Sequence, residues 1–390
     1  MIHGVDNTCC GCTACLSICN KQAIYMVENE KGFVEPIVDK TKCIDCGLCD
    51  RVCPLHLIPK SDKEHLFFAA KRIDPIKRAA SQSGGAFATL AEYVLQLGGV
   101  VYGVSQNINF EAVYSRIARI SEIKQLLGSK YIQARMENCY VKCGEDLTNG
   151  KYVLFSGTPC HVHGLILYLN MKRIDTTQLI TVDIICHGVP SPRIFREYIK
   201  LLETRHKKKI SSFNHRDKHF GWHGHVSIIS VGHRKFQNND FVKSFYSHYI
   251  LRDCCYSCQY TSLNRVGDIT IGDCWGIEKS HSEFDDNLGI SLVIINSTKG
   301  KSLWEKTAHE FDLLSMKQDE IMQHNLQFPT VAPDNILQFW SDYKTYGCEY
   351  VLYRYCNYDP RQETEVIEKN QYARRMILKL SRLYHRFFTT

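Results

Sequence analysis

The alternation of apolar and polar positions changes character twice along the chain. Ala23–Val27 and Phe33–Val38 are short alternating runs joined by a turn around Asn29–Gly32, the pattern of a small hairpin. Residues 54–64, with Pro54, Pro59 and a polar run from Lys60 to Glu64, read as a linker. From His65 onward, strands alternate with helices. Leu66–Lys71 is an apolar strand. Gly85–Leu97 places Phe87, Leu90, Ala91, Val94 and Leu95 on one side of a helix that Gly98-Gly99 stops. Val100–Val104, Tyr152–Phe155, Leu179–Ile185 and Ile290–Ile295 read as strands. Ser121–Leu127, Met136–Leu147 and Pro192–Thr204 read as helices, the last with Pro192 in its first turn. The pattern predicts an α/β domain over residues 65–330. A small α+β domain over 1–60 precedes it, and a mainly helical extension over 331–390 follows.

Composition narrows the setting. No apolar run approaches the ~20 residues that a membrane span requires. The start of the chain lacks a charged segment followed by an apolar one, so no secretory signal is read there and a cytoplasmic location is the default expectation. The 390 residues include 19 cysteines, which in such a setting serve as metal ligands or redox groups rather than as disulfides.

Nine of those cysteines lie between residues 9 and 53. Cys9, Cys12, Cys15 and Cys19 have the spacing C-x2-C-x2-C-x3-C. Cys43, Cys46, Cys49 and Cys53 repeat it, with Pro54 following. This is the pattern of bacterial two-cluster [4Fe–4S] ferredoxins. Three thiolates on one tight loop cap three irons of a cubane, while the fourth points to the other cluster. The expected ligand sets are therefore Cys9, Cys12, Cys15 and Cys53, and Cys43, Cys46, Cys49 and Cys19. A pair of zinc sites is the rival reading, but zinc leaves the fourth cysteine of each copy superfluous. Cys10 lies out of register and reads as a spare thiol, and Asn20 stands where proline usually follows the first motif. With two cluster cores and their thiolates counted, the formal net charge of +7 falls to roughly +3, and no nucleic-acid partner is expected.

The rest of the chain carries an ordered series of short motifs. They are Ser81-Gln82-Ser83-Gly84-Gly85-Ala86-Phe87, Gly98–Gly103, Gly128-Ser129-Lys130-Tyr131-Ile132-Gln133, Gly157-Thr158-Pro159-Cys160, Cys186–Ser191, Cys255-x-x-Cys258 and Asp268–Gly276. In this order, over about residues 5–300, the chain resembles the beta-subunit family of coenzyme F-420 (deazaflavin) hydrogenases and dehydrogenases, in its version with an N-terminal ferredoxin domain. The resemblance implies a non-Rossmann α/β flavin domain with a mixed sheet. It also implies FAD beside the iron–sulfur clusters and a conjugated organic substrate. The absence of any G-x-G agrees that a standard dinucleotide fingerprint is missing.

Several residues then become candidates. Ser83, Gly84 and Gly85 open a helix and offer backbone N–H groups to a phosphate, or the glycines simply permit a tight turn. Ser129, Lys130 and Tyr131, and Gly157 with Thr158, complete the expected flavin contacts. Cys160 and Cys186 each follow an apolar strand, where a parallel sheet places its ligands. With Cys255 and Cys258 they form either a third [4Fe–4S] site or a set of buried free thiols. Cys254 is an alternative to Cys255. His161 and His163 depart from the family pattern and read first as surface histidines at a helix start. Arg216, Lys218 and Trp222 match a family pattern and could face an anionic or planar substrate. Residues 372–388 form a basic amphipathic pattern that would dock on the body or touch a membrane surface.

The expectation is an iron–sulfur flavin-dependent oxidoreductase, with no catalytic residue assigned. Its partners would be a ferredoxin-type electron donor or acceptor and a small conjugated or anionic substrate, with oligomer formation left open. The alternative is an electron-transfer subunit without a substrate of its own, docked on a catalytic partner.

Overall fold

In the computed structural model, described over residues 8–57 and 64–366, the first strand pair is β1 (Ile24–Glu28) against β2 (Val34–Val38). The register pairs Tyr25 with Ile37 and Val27 with Glu35. Two short helices, Ala14–Ile18 and Leu48–Arg51, each follow a cysteine-bearing loop. The remaining strands are β3 (Leu66–Arg72), β4 (Val100–Gln106), β5 (Ala112–Ile117), β6 (Val153–Gly157), β7 (Leu179–Ile184), β8 (Ser212–Asp217), β9 (Val226–Val231), β10 (Arg234–Gln237), β11 (Ile269–Asp273), β12 (Ser291–Ile295), β13 (Phe311–Met316) and β14 (Thr364–Val366).

Eight of these make one mixed sheet in the order β13-β3-β12-β11-β7-β6-β4-β5. The central strands β11, β7, β6 and β4 are parallel, and the flanking pairs are antiparallel. β6 and β7 are buried almost throughout, which is why both read as continuous apolar runs rather than alternating ones. Helices Cys139–Thr148 and Pro159–Lys172 cover one face, and Ala86–Gln96 and Thr298–Thr307 cover the other. The connections through these helices bring the C-terminal ends of β6, β7 and β11 to one edge of the sheet.

A second, four-stranded antiparallel sheet, β14-β10-β9-β8, was not foreseen. The His-rich stretch around residues 214–225 hides it, because β8 carries a bulge between Asn214 and Asp217 that buries His215 and Arg216 consecutively and destroys the period-two signal. The expected helix Ser121–Leu127 is a 3-10 turn over Ile120–Gln125. Beyond residue 330 the chain is helical over Ile336–Tyr355, with a break at Gly347 (φ 81°), and then returns as β14 to pair with β10. Most of the linker, 58–63, and the basic amphipathic pattern over 372–388 lie outside the described residues.

The N-terminal region shares a hydrophobic core with the body. Cys10, Cys12, Ala14, Ile18 and Val52 pack in one cluster with Tyr140, Val162, Leu165 and Phe155. Gly164 shows how close that approach is, since a Cβ there would stand 3.1 Å from Cys12 Sγ and 2.9 Å from Tyr140 Oη.

Candidate redox site and anion cavity

The two cysteine loops need backbone that side chains resist. Gly11 and Thr13 in the first, and Asp45 and Gly47 in the second, have positive φ, which wraps each loop so that its thiols face inward. Backbone N–H groups point at the sulfurs: Gly11 N donates to Cys9 Sγ at 3.3 Å and Ala23 N to Cys19 Sγ at 3.3 Å. Such N–H···S contacts are the surroundings an iron–sulfur cluster uses. Burial pushes the thiols of Cys9, Cys15 and Cys53 up, and neighbouring sulfurs add to it. Cys15 feels Cys9 and Cys53, and Cys53 feels Cys9. Cys53, from the second loop, thus sits among the thiols of the first. Cys46, in contrast, is exposed on the outer loop.

Cys10, the thiol outside both motifs, is buried against the body with the sulfurs of Cys12 and Cys160 as neighbours. Cys160 occupies the second position of the helix after β6, and Cys186 lies two residues past β7. Cys254 and Cys255 lie in the 3-10 turn Asp253–Ser257, with Cys258 next. Burial, with Cys160 and Cys258 nearby, pushes Cys186 up to about 12; burial, with Cys160 and Cys254 nearby, pushes Cys258 up to about 12. A Cβ on Gly188, beside Cys186, would lie 3.5 Å from Cys255 Cβ. Four segments distant in sequence are therefore gathered at one place, with Cys254 as well as Cys255 within the group. Among the described residues no three His, Cys, Asp or Glu side chains are gathered to hold a single metal ion. Cubane ligands, each on a different iron, stand farther apart than that.

Arg252, which the sequence did not flag, locks the N-terminal region to this set. It is 2% exposed. It donates to the carbonyl oxygen of Cys9, to Gln133 Oε1 at 2.7 Å and to Val34 O at 3.0 Å, and lies over the Phe33 ring. Gln133 in turn donates to Cys10 O at 3.3 Å. Nothing in the local sequence distinguishes Arg252 from a surface arginine, because all of its partners come from elsewhere in the chain.

The histidines after Cys160 correct the sequence reading. His161 and His163 are buried, not at the surface, because their helix is sandwiched between the sheet and the first cysteine loop. Their Nδ1 atoms lie 3.2 Å from Tyr114 Oη and 2.8 Å from Tyr260 Oη, and burial pulls each ring down to about 4. They are neutral structural groups at neutral pH.

A cavity of about 380 Å³ is lined by Arg72, Arg78, Gln82, Gly128, Arg216 and Lys218, among others. Among the described residues, three buried donors on lining side chains have no partner: Arg72 Nε, Gln82 Nε2 and Arg216 Nε. Arg216 is 3% exposed; its other nitrogens reach Asp273 Oδ2 at 2.5 Å and Trp222 O at 2.9 Å. Unpartnered buried donors cost about 1–3 kcal/mol each, so they mark a place for acceptor atoms. The lining cations are already paired, Arg72 with Glu92, Arg78 with Asp286 and Arg216 with Asp273, so it is the unpartnered donors that suit the acceptor atoms of a ligand.

The expected flavin contacts are distributed around this cavity and the cysteine set. Ser83 spends its hydroxyl on Ile290 O at 2.7 Å. Gly84 is required by packing, since a Cβ would meet Ala70 O at 2.0 Å, and Gly85 (φ 97°) starts the helix. Lys218 staples this loop by donating to Ser83 O, Arg78 O and Leu288 O, so its charge is spent on carbonyls. Lys130 caps the carbonyls of Leu127 (2.8 Å) and Gln125, and burial pulls it down to about 7. Its neighbour Ser129 hydrogen-bonds with Tyr131. Tyr131 stacks on Phe245 at 4.8 Å, and Phe245 meets the ring of His187, next to Cys186, at 5.0 Å. Gly157 and Thr158 stand at the cysteine end instead: a Cβ on Gly157 would strike Tyr114 Oη, and Thr158 Oγ1 lies 3.4 Å from Cys160 Sγ. Trp222 is wholly buried. It backs Trp275 in a parallel stack at 4.7 Å and donates to Asp273 Oδ1, so it faces no ligand directly.

Doubled cluster-type loops packed on a mixed α/β body define an iron–sulfur electron-transfer protein. Residues 150–319 match the family described as the C terminus of the coenzyme F420 hydrogenase/dehydrogenase beta subunit, and residues 8–56 match the 4Fe-4S dicluster domain. The resemblance carried by the ordered motifs is thereby borne out over residues 150–319, which are similar to that beta-subunit family. No curated protein matches the sequence. Among solved structures, a chain of the F420-reducing [NiFe] hydrogenase complex from Methanosarcina barkeri is similar. It has a TM-score of 0.46 at 15% identity, covering 74% of this chain and 91% of that one. The family is one of oxidoreductase subunits. Among the described residues no helix is long and apolar enough to cross a membrane.

Proposed function

We propose that the protein is an iron–sulfur flavin-dependent oxidoreductase that moves electrons between a ferredoxin-type partner and a conjugated or anionic organic substrate. Cys43, Cys46, Cys49 and Cys19 would hold the outer cluster. Cys9, Cys12, Cys15 and Cys53 would hold the inner one. A third would sit at Cys160, Cys186, Cys258 and Cys255, with Cys254 as the alternative donor. Residues 1–60 act as the electron relay, residues 65–330 hold FAD and substrate, and residues 331–390 extend that body. FAD, when bound, supplies the exchange between one-electron and two-electron chemistry.

The observation that carries this reading is the cavity with three unpartnered buried donors on Arg72, Gln82 and Arg216. A relay without a ligand of its own has no use for such a set. Its donors suit the diphosphate or another anionic part of a bound cofactor or substrate, while the rings of His187, Phe245 and Tyr131 lead from the Cys186 end toward Ser129 and Lys130. The residues present therefore fit FAD chemically. The test is anaerobic purification of the full chain with iron, sulfide and flavin analysis. The expected result is eight or twelve irons and about one non-covalent FAD per chain. Arg216→Gln should weaken FAD binding about tenfold or more, read by quenching of free FAD fluorescence. Wild-type protein with full iron that binds no FAD at micromolar concentration would favour the second reading, an electron-transfer subunit docked on a catalytic partner. The exposed apolar face of the hairpin, Tyr25, Val27 and Ile37, is the observation that speaks for that alternative.

A further inference from the structure

The β1–β2 hairpin has two unlike ends. At its turn the charges are spent on the body. Glu28 is held by Arg193 and Arg196, Glu30 by Lys344, and Lys31 by Asp253. At its open end, where β1 follows Cys19 and β2 precedes Cys43, the cations are exposed. Lys21 and Lys40 are exposed and have no ion-pair partner among the described residues. Lys42, 60% exposed, leans on Asp39 at 3.3 Å. Arg51 is exposed, and Lys172 reaches Asn20 Oδ1 at 3.1 Å beside exposed Arg173. The acids nearby are Asp39, turned onto Thr41, Asp45 beside Cys43, Asp50, and Glu35, which stands opposite Val27 and accepts from Asn29.

Between these cations the surface is apolar. Tyr25 and Ile37 are cross-strand partners on the solvent face, 48% and 44% exposed, with Val27 diagonal to them. Ile44, in the outer loop between Cys43 and exposed Cys46, is 61% exposed. A half-buried hairpin normally turns such residues inward; here the inner face is already filled by Ile24 and Pro36. An apolar centre with exposed cations near it is the layout of a weak, steered interface. Encounters between redox proteins are small, at the low end of interface sizes, so a patch of a few side chains suffices.

We propose that this open end of the hairpin, together with the loop Asp39–Arg51, is the docking surface for a small acidic one-electron carrier protein. The proposal rests on the reading that the outer cysteines hold a cluster. In each encounter the reduced carrier loses one electron and the outer iron–sulfur group gains it, with no bond made and no proton moved; the reverse holds for oxidation. Of the inner cysteines, Cys12 is buried and Cys9, Cys15 and Cys53 are half-buried, whereas Cys46 of the second loop is exposed.

The test uses the anaerobic full chain and two reductants, dithionite and a small acidic [2Fe–2S] ferredoxin. Wild-type protein should accept electrons from the ferredoxin about tenfold more slowly when salt rises from about 50 mM to about 500 mM. Lys21→Glu/Lys40→Glu should be about tenfold slower at low salt and lose that salt dependence. Tyr25→Thr/Ile37→Thr, which keeps strand-forming residues, should slow the ferredoxin reaction at every salt concentration. Ferredoxin rates unchanged in both double variants would overturn the proposal, as would faster transfer after charge reversal. A change of oligomeric mass in either variant would also overturn it, since a second copy of the chain would then cover the face. Wild-type protein that lacks iron, or that dithionite does not reduce, would instead fail the cluster reading itself.

Discussion

The two cysteine systems of this protein are built in opposite ways. The N-terminal one is local: its thiols lie on two short loops, each wound by positive-φ residues, and backbone N–H groups within the same segment serve the sulfurs. The one in the body is assembled. Cys160, Cys186 and Cys255–Cys258 arrive from the ends of two parallel strands and from a distant 3-10 turn, and only the closed sheet brings them together. A local site announces itself in spacing and withstands changes elsewhere. An assembled one depends on the whole body and shows in the sequence only as separate single cysteines.

Four measurements would break or sharpen that contrast. The largest effect is expected for Cys46→Ala, which should remove one whole cluster, about four irons per chain, while leaving the body folded. Unchanged iron in anaerobic protein would contradict the outer ligand set. Next, Cys258→Ser should also remove about four irons if the assembled set holds a cubane, and should slow flavin reduction by reduced ferredoxin. If these are only buried thiols, iron and rate stay as they were and stability changes little. Third, Arg252→Met leaves buried carbonyls and Gln133 without their cation. It should cost about 3–5 kcal/mol by denaturant unfolding. If the junction is instead held mainly by apolar packing, the loss will be under about 1 kcal/mol.

The smallest effect concerns the small sheet alone. Burial, helped by the charge of Lys130, pulls His215 down to about 3. Its folded pKa thus lies below the unfolded value of about 6.5, so the unfolded chain binds the extra proton and stability falls as pH drops from about 6.5 toward 3. At pH 5 the loss is about 2 kcal/mol relative to pH 8. Because buried His161 and His163 add losses of the same sign, His215→Phe should lessen that slope by about its own share and not abolish it, and an unaltered pH dependence would show that other groups govern it.

The legibility of the molecule followed the same division. The hairpin, the buried strands β6 and β7 and the helix starting after Gly85 were readable because each is fixed by its own residues. The cluster spacing was readable for the same reason. The small sheet was not, since the bulge at His215–Arg216 buries neighbours rather than alternate residues. Gly84 was noticed as a phosphate-cradle glycine, yet its need for a bare Cα comes from Ala70 O and Ser291 N, which lie across the sheet. The cavity donors were the least visible. Arg72 carries no motif that marks it, Gln82 stands in a motif read only for its serine and glycines, and only tertiary structure leaves Arg72 Nε and Gln82 Nε2 without partners among the described residues.

The return of β14 to pair with β10 limits how the chain can be shortened. Thr364–Val366 closes the outer edge of the small sheet, with Glu363 accepting from Asn238 and Gln362 from Lys243. A truncation placed before residue 336, after the last strand of the large sheet, would strip β10 of its neighbour, leave a bare strand edge, and take Phe339, Val351 and Leu352 out of the main core. Such an edge pairs readily with another chain. Expression of the shortened body is then expected to yield aggregates, for a reason that has nothing to do with its cofactors.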